Sequence, residues 1–215
     1  MFTGLIGHLG RITRLETGSS GGKLTVHAPT LASKLAVSAS IAVNGCCLTA
    51  VASDRHHFSA DLSPETLAKT SFSALEPGAR VNLEQPLAAG QEFGGHFVLG
   101  HVDSTGRVSH LTPDGDAWLF GVHVPPDLAP YIVGKGSLAI DGISLTVARW
   151  YDSIAEIAVI PYTYQHTNLS DRAPGDPVNL EADIFGKYVV SYLRERPSAS
   201  LSRPVQIAEL IRQGF

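Results

Sequence analysis

The sequence repeats itself once, and the repeated unit is too long for a solenoid. Asp141-Gly-Ile-Ser-Leu-Thr146 echoes Asn44-Gly-Cys-Cys-Leu-Thr49, and sliding the chain over itself by 96 or 97 positions extends the match both ways. Gly4 falls on Gly100, Gly10-Arg11 on Gly106-Arg107, and Pro64, Thr66 and Thr70 on Pro161, Thr163 and Thr167. Pro77-Gly78 falls on Pro174-Gly175, and Val81-Asn-Leu-Glu84 returns letter for letter as Val178-Asn-Leu-Glu181. Matches kept in order and register over such a span predict two similar domains in tandem. The 215 residues then divide into residues 1–95, residues 96–182 and a final segment 183–215 without a counterpart.

Each unit reads as short apolar stretches separated by glycine and proline turns. In the first, Phe2–Leu5, Arg11–Leu15, Leu24–His27, Ser40–Ala52 broken at Asn44-Gly45, His57–Leu62 and Val81–Leu87 are expected strands. Ser63-Pro64 starts a short helix, with Ser at the N-cap and Pro where its missing N–H costs nothing. The second unit reruns the plan through Phe97–His101, Arg107–Leu111, Trp118–Val124, Ser137–Arg149, Ala155–Ile160 and Val178–Glu181. An all-β chain of this kind predicts two tandem antiparallel barrels of about six strands each, closed so that no edge is exposed. Past Asp183 the period changes: Ile184, Tyr188, Val189, Tyr192 and Leu193 recur at helical spacing, and Pro197 ends the run. This helix either packs on its own barrel or serves assembly. Arg203–Phe215 allows a weak second helix through Val205, Ala208 and Ile211.

Composition narrows the partners. The chain is 44% hydrophobic, only 17% charged and carries a net charge of −4, with no Lys/Arg cluster to hold a phosphate backbone. No apolar run reaches the roughly 18 residues of a membrane span, and Met-Phe-Thr-Gly lacks the features of a signal peptide, so a cytoplasmic protein is expected. Cys46 and Cys47 are neighbours that a strand would turn to opposite faces, which suits free thiols in a reducing compartment. The same divergence argues against zinc at Cys46, Cys47, His56 and His57. Gly142-Ile-Ser-Leu-Thr lacks the second glycine of a nucleophile elbow, and no phosphate-binding loop is present.

The period of two gives the repeated hexads a direction. Ile143 and Leu145 share one face with Ser144 and Thr146 on the other; in the first copy Cys46 and Leu48 oppose Cys47 and Thr49. One such polar pair is usually a solvent-facing edge, whereas two in register behind a turn glycine point to a small-molecule site in each barrel. His101, beside the repeated Gly100 and five residues after His96, is a candidate proton shuttle, though a lone His is more often a surface residue. Asp183 and Lys135 read equally as surface charges, Asp183 also as the cap of the final helix.

At these residues the chain closely resembles the riboflavin synthase family of the alpha-chain type. The resemblance rests on Met1-Phe-Thr-Gly4, the two hexads, Glu65-Thr66, Gly94-Gly-His96, Gly100-His-Val-Asp103, Lys135-Gly-Ser137, Ile160-Pro161 and the two Val-Asn-Leu-Glu stretches, and it covers residues 1 to about 193. It implies two six-stranded Greek-key barrels, a C-terminal α-helix gathering three chains, and no metal or redox cofactor. The implied reaction is a dismutation of two molecules of 6,7-dimethyl-8-ribityllumazine into riboflavin and 5-amino-6-ribitylaminouracil, at a site between subunits. Whether the homotrimer joins a larger assembly with lumazine synthase is left open.

The resemblance places Gly4, Leu5, Ile6, Cys47, Leu48, Thr49, Asp61, Leu62, Ser63, Pro64, Glu65 and Thr66 in a first substrate pocket. It places Gly100, His101, Val102, Lys135, Ser144, Leu145, Thr146, Ala158, Val159, Ile160, Pro161, Tyr162 and Thr163 in a second. His101 is then expected to move protons, Ser144, Thr146 and Cys47 to orient or activate the species adding at the ring, and Asp183 to assist. Tyr162 departs from the His or Glu of many relatives. A non-catalytic lumazine- or flavin-binding antenna protein is the alternative within the same fold.

Overall fold

A computed structural model describes residues 1–195; the helix expected within 203–215 lies outside the described residues. Two antiparallel sheets account for most of the chain. The first contains β1 (His8–Gly18), β2 (Gly21–His27), β3 (Ser40–Val43), β4 (Cys46–Ser53), β5 (His57–Leu62) and β6 (Arg80–Glu84). They close a barrel in the order β1-β2-β5-β4-β3-β6, with β1 pairing β6. Helices α1 (Pro29–Ala32) and α2 (Pro64–Lys69) fill its connections. The expected cap is present, the Ser63 hydroxyl accepting the Thr66 N–H at 3.0 Å. Alternation builds the core: β5 buries Phe58, Ala60 and Leu62 while its other residues face outward.

The second sheet contains β7 (Ser104–Asp114), β8 (Ala117–His123), β9 (Ser137–Ile140), β10 (Ile143–Thr146), β11 (Arg149–Tyr151), β12 (Ile154–Val159) and β13 (Pro177–Ala182), with α3 (Pro161–His166) after β12. It has seven strands by count, in the order β10-β9-β13-β7-β8-β12-β11. The extra strand is a break, not an insertion, since β10 and β11 together match β4. The Ala148 N–H at the break still reaches the Glu156 carbonyl at 2.8 Å. Trp150 and Tyr164 are half-buried against this barrel's core of Phe120, Leu138, Ile140, Ile157 and Leu180.

The strands expected at Phe2–Leu5 and Phe97–His101 do not form. The two segments leave their own barrels and meet each other through the single bridge Phe2 to Val98. Val81–Leu87 also ends early as a strand, at Glu84, since Pro86 two residues on has no N–H for a ladder.

The two repeats pack face to face about an approximate twofold axis. The turn glycines Gly45 and Gly142 touch across it: a Cβ on either would stand 2.6 Å from the other's amide nitrogen, and both have φ near the left-handed region, +76° and +78°. Around them lies a buried polar network that obeys the same symmetry. Asn82 donates to the Asp141 carbonyl at 2.9 Å and accepts from the Asn168 N–H at 2.8 Å. Asn179 donates to the Asn44 carbonyl at 2.8 Å and accepts from the Ser71 N–H at 2.7 Å. The repeated Val-Asn-Leu-Glu is thereby explained: Val and Leu fill a core while Asn crosses to the other barrel. Arg80 adds a contact outside the symmetry, to Asp171 of the other repeat.

Helix α4 (Ile184–Glu195) follows β13. Asp183 caps it by accepting the Phe185 N–H at 3.0 Å, and Lys187 reaches Asp103 at 2.7 Å. No helix among the described residues is long and apolar enough to cross a membrane.

Candidate active site

The hexads sit as their alternation requires. Cys46, Leu48, Ile143 and Leu145 are buried; Cys47 and Ser144 are half-buried, and Thr49 and Thr146 are exposed on the opposite faces of β4 and β10. Next to β4, the end of β5 and the start of α2 present Asp61, Ser63, Pro64 and Glu65 to solvent, with Leu62 buried and Thr66 half-buried. Next to β10, the end of β12 and the start of α3 present Ala158, Ile160, Pro161 and Tyr162, with Val159 buried and Thr163 half-buried. The Tyr162 ring stacks on His166 at 4.0 Å. Lys135 is exposed in a left-handed turn, φ +67°, its N–H on the Val147 carbonyl at 2.7 Å.

The repeat-opening segments lie against the hexad of the opposite repeat. Gly4, Leu5 and Ile6 were expected in the first pocket, but the Gly4 carbonyl accepts the Ser144 N–H at 2.8 Å and Ile6 packs on the second barrel's core. Conversely the Gly100 carbonyl accepts the Cys47 N–H at 2.8 Å, and Val102 packs on the first barrel's core, with exposed His101 between them. The cause is the approximate twofold, which carries each segment over to its neighbour. Both glycines are required: φ is +77° and +81°, and an added Cβ would stand 2.6 Å from the Cβ of Ser144 or Cys47.

A polar pair joins two of the matching motifs, although no role was expected for its histidine. His96 Nδ1 lies 2.7 Å from the Ser144 hydroxyl. Burial holds the His96 imidazole below its ordinary pKa, with the Asp183 carboxylate pulling the other way, so the ring is neutral near pH 7. A neutral imidazole can accept the Ser144 proton, its own proton then on Nε2, a buried atom without a hydrogen-bond partner among the described residues. The equivalent place in the first site holds Cys47. Cys46, buried behind the strand, has its thiol pushed up to about 12 by desolvation, with Cys47 and Glu181 adding to the shift. It is therefore inert.

Asp183 thus stands as a helix cap that also acts electrostatically on His96. A cleft of about 490 Å3 takes in Asp61 and Leu62 and one of about 460 Å3 takes in Leu5, but Cys47, His101 and Ser144 line neither. Among the described residues no three His, Cys, Asp or Glu side chains are placed to share a metal ion.

A doubled antiparallel fold with a matched polar pair on each copy defines a protein of two lumazine-binding repeats: the lumazine binding domain family matches residues 3–86 and again 99–183. A riboflavin synthase of Actinobacillus pleuropneumoniae is 38% identical over 215 residues, all of both chains, and one of Bacillus subtilis is 35% identical over the same span. The chain belongs to the riboflavin synthase family. Among solved structures, LumP complexed with riboflavin superposes with a TM-score of 0.79 at 25% identity, covering 85% of this chain and 99% of that one.

Proposed function

We propose that this chain is a riboflavin synthase, a transferase that moves a four-carbon unit between two molecules of 6,7-dimethyl-8-ribityllumazine to give riboflavin and 5-amino-6-ribitylaminouracil. The observation that carries the reading is the pairing of two equivalent outward-facing polar pairs, Cys47/Thr49 on β4 and Ser144/Thr146 on β10, within one duplicated chain. Joining two identical substrates needs two like sites, and holding both rings in reactive geometry can lower the barrier by roughly 7–11 kcal/mol. Hydroxyls of Thr49, Thr66, Thr146 and Thr163 and backbone amides suit the ring carbonyls and nitrogens; Asp61 suits ribityl hydroxyls.

The acid–base work falls on groups the clefts already hold. His96 accepts a proton from Ser144, which adds at the ring or positions water to do so. His101, exposed at the first cleft, moves protons to and from the acidic methyl group. Cys47, with its thiol half-buried, orients the ring in the first cleft, and Asp183 biases the charge on His96.

Thr49, His101 and Thr146 are exposed, and a second chain would bring a first site against a second one. The apolar stripe of α4 supports this: Phe185 meets the Phe97 ring at 5.5 Å, while Tyr188, Val189 and Leu193 remain 57% to 70% exposed. We read it as the seam of a homotrimer. Two free cysteines fit the reducing cytoplasm.

The likeness to LumP favours a second reading, a binding protein without turnover. Two complete polar pairs and the His96–Ser144 contact weigh against it. The test is incubation of the purified protein with 6,7-dimethyl-8-ribityllumazine as sole substrate while flavin absorbance is followed at long wavelength. Absorbance should grow; tight binding with fluorescence and no growth would establish the binder instead.

A further inference from the structure

Two buried glutamates end the repeated Val-Asn-Leu-Glu, and each grips the segment that opens its own repeat. Glu84 accepts the Thr3 N–H at 2.7 Å, the Thr3 hydroxyl at 2.7 Å and the Gly4 N–H at 3.0 Å. Glu181 accepts the Leu99 N–H at 2.7 Å and the Gly100 N–H at 3.0 Å. In both cases one carboxylate oxygen takes each of two successive amides. The segment so gripped passes its next group across the approximate twofold, the Gly4 carbonyl to the Ser144 N–H and the Gly100 carbonyl to the Cys47 N–H, each at 2.8 Å.

We infer that Glu84 and Glu181 are crossed positioning residues: Glu84 of the first barrel sets the cleft of the second at Ser144, and Glu181 of the second barrel sets the cleft of the first at Cys47. Each link is a short direct contact, so the path from carboxylate to cleft is one peptide long. Only an ionised carboxylate offers an acceptor at both oxygens; an amide turns one of them into a donor facing an N–H. Gln at either position therefore breaks one of the two grips, tilts the peptide and lengthens the carbonyl's bond to the opposite strand. Shifting Ser144 also shifts its hydroxyl from His96. The two half-sites are tuned separately, each from the other's barrel, which is a physical reason for a chain to keep the repeats fused. The consequence for turnover rests on the proposed function; the crossing itself does not.

The experiment is amide hydrogen exchange by NMR on the full chain, comparing wild type with Glu84→Gln and Glu181→Gln. The Ser144 amide should exchange at least about tenfold faster in Glu84→Gln with the Cys47 amide unchanged, and the reverse should hold in Glu181→Gln, as expected when one local bond is opened selectively. Should a Gln variant fail to fold, Thr3→Val keeps the charge and removes the hydroxyl's bond to Glu84 at 2.7 Å together with its bond from the Leu5 N–H at 3.2 Å. It should speed Ser144 by a smaller factor and leave Cys47 alone. A glutamate that served stability alone would speed exchange through its own barrel or through both together, and either pattern overturns the inference, as does no change at Ser144 in Thr3→Val. In the lumazine assay the same variants should lower kcat more than they raise KM. Crossed exchange with no turnover in wild type would keep the positioning and refute the proposed reaction.

Discussion

At the scale of single residues the proposed chemistry rests on His96 and Ser144, 2.7 Å apart. Each replaced by Ala should lower turnover by at least ~10-fold, the usual contribution of a positioned acid–base group, and unchanged rates would remove the pair from the mechanism. Burial depresses the His96 pKa below its ordinary 6.5. The neutral, proton-accepting ring then persists as pH falls past 6.5, so the acid limb of the kcat profile should lie below that value. Asp183 counteracts the depression, so Asp183→Asn should move the limb to still lower pH. A limb that stays in place would separate Asp183 from the site. The outward face of Ser144 and Thr146 was legible in the sequence because alternation on a strand is strict. His96 was not, because its partner is 48 residues away and no local spacing marks the pair.

At the scale of elements, the repeated Val-Asn-Leu-Glu was readable as a closing strand but not as an interface. Strand alternation says which side chains leave the core; it does not say that the outgoing Asn meets a turn of the other repeat. Asn82→Ala leaves the Asp141 carbonyl and the Asn168 N–H without their partner in a buried place, at roughly 1–3 kcal/mol for each orphaned group. The urea midpoint should fall accordingly, and a change within error would mean that water replaces the amide. The segments opening each repeat did not form strands for a related reason: their apolar residues suit a strand, but Glu84 and Glu181 take their amides while the Gly4 and Gly100 carbonyls bond the other repeat. Helix α4 was plain from its period, whereas its exposure needed coordinates. Tyr188→Lys with Leu193→Glu should turn a trimer into monomers on size-exclusion chromatography and remove most activity. A monomeric, active variant would contradict the shared site.

For the whole molecule, duplication explains more than any motif. It yields two matched polar pairs, one holding Ser144 beside His96 and the other Cys47 in the equivalent place. The duplication itself could be read from letters alone, down to the turn glycines that touch at the axis. The exchange of segments between the barrels could not, since an offset aligns residues without saying which copy they face. The central claim is that a complete site needs a first cleft from one chain and a second cleft from another. The direct measurement is coexpression of a chain with Cys47→Ala and Asp61→Ala with a chain bearing His96→Ala and Ser144→Ala, followed by the lumazine assay on purified mixed assemblies. Each parent alone should be nearly inactive, and the mixture should regain riboflavin formation because an intact first cleft can meet an intact second one. A mixture as inactive as its parents, from assemblies shown to contain both chains, would contradict the account.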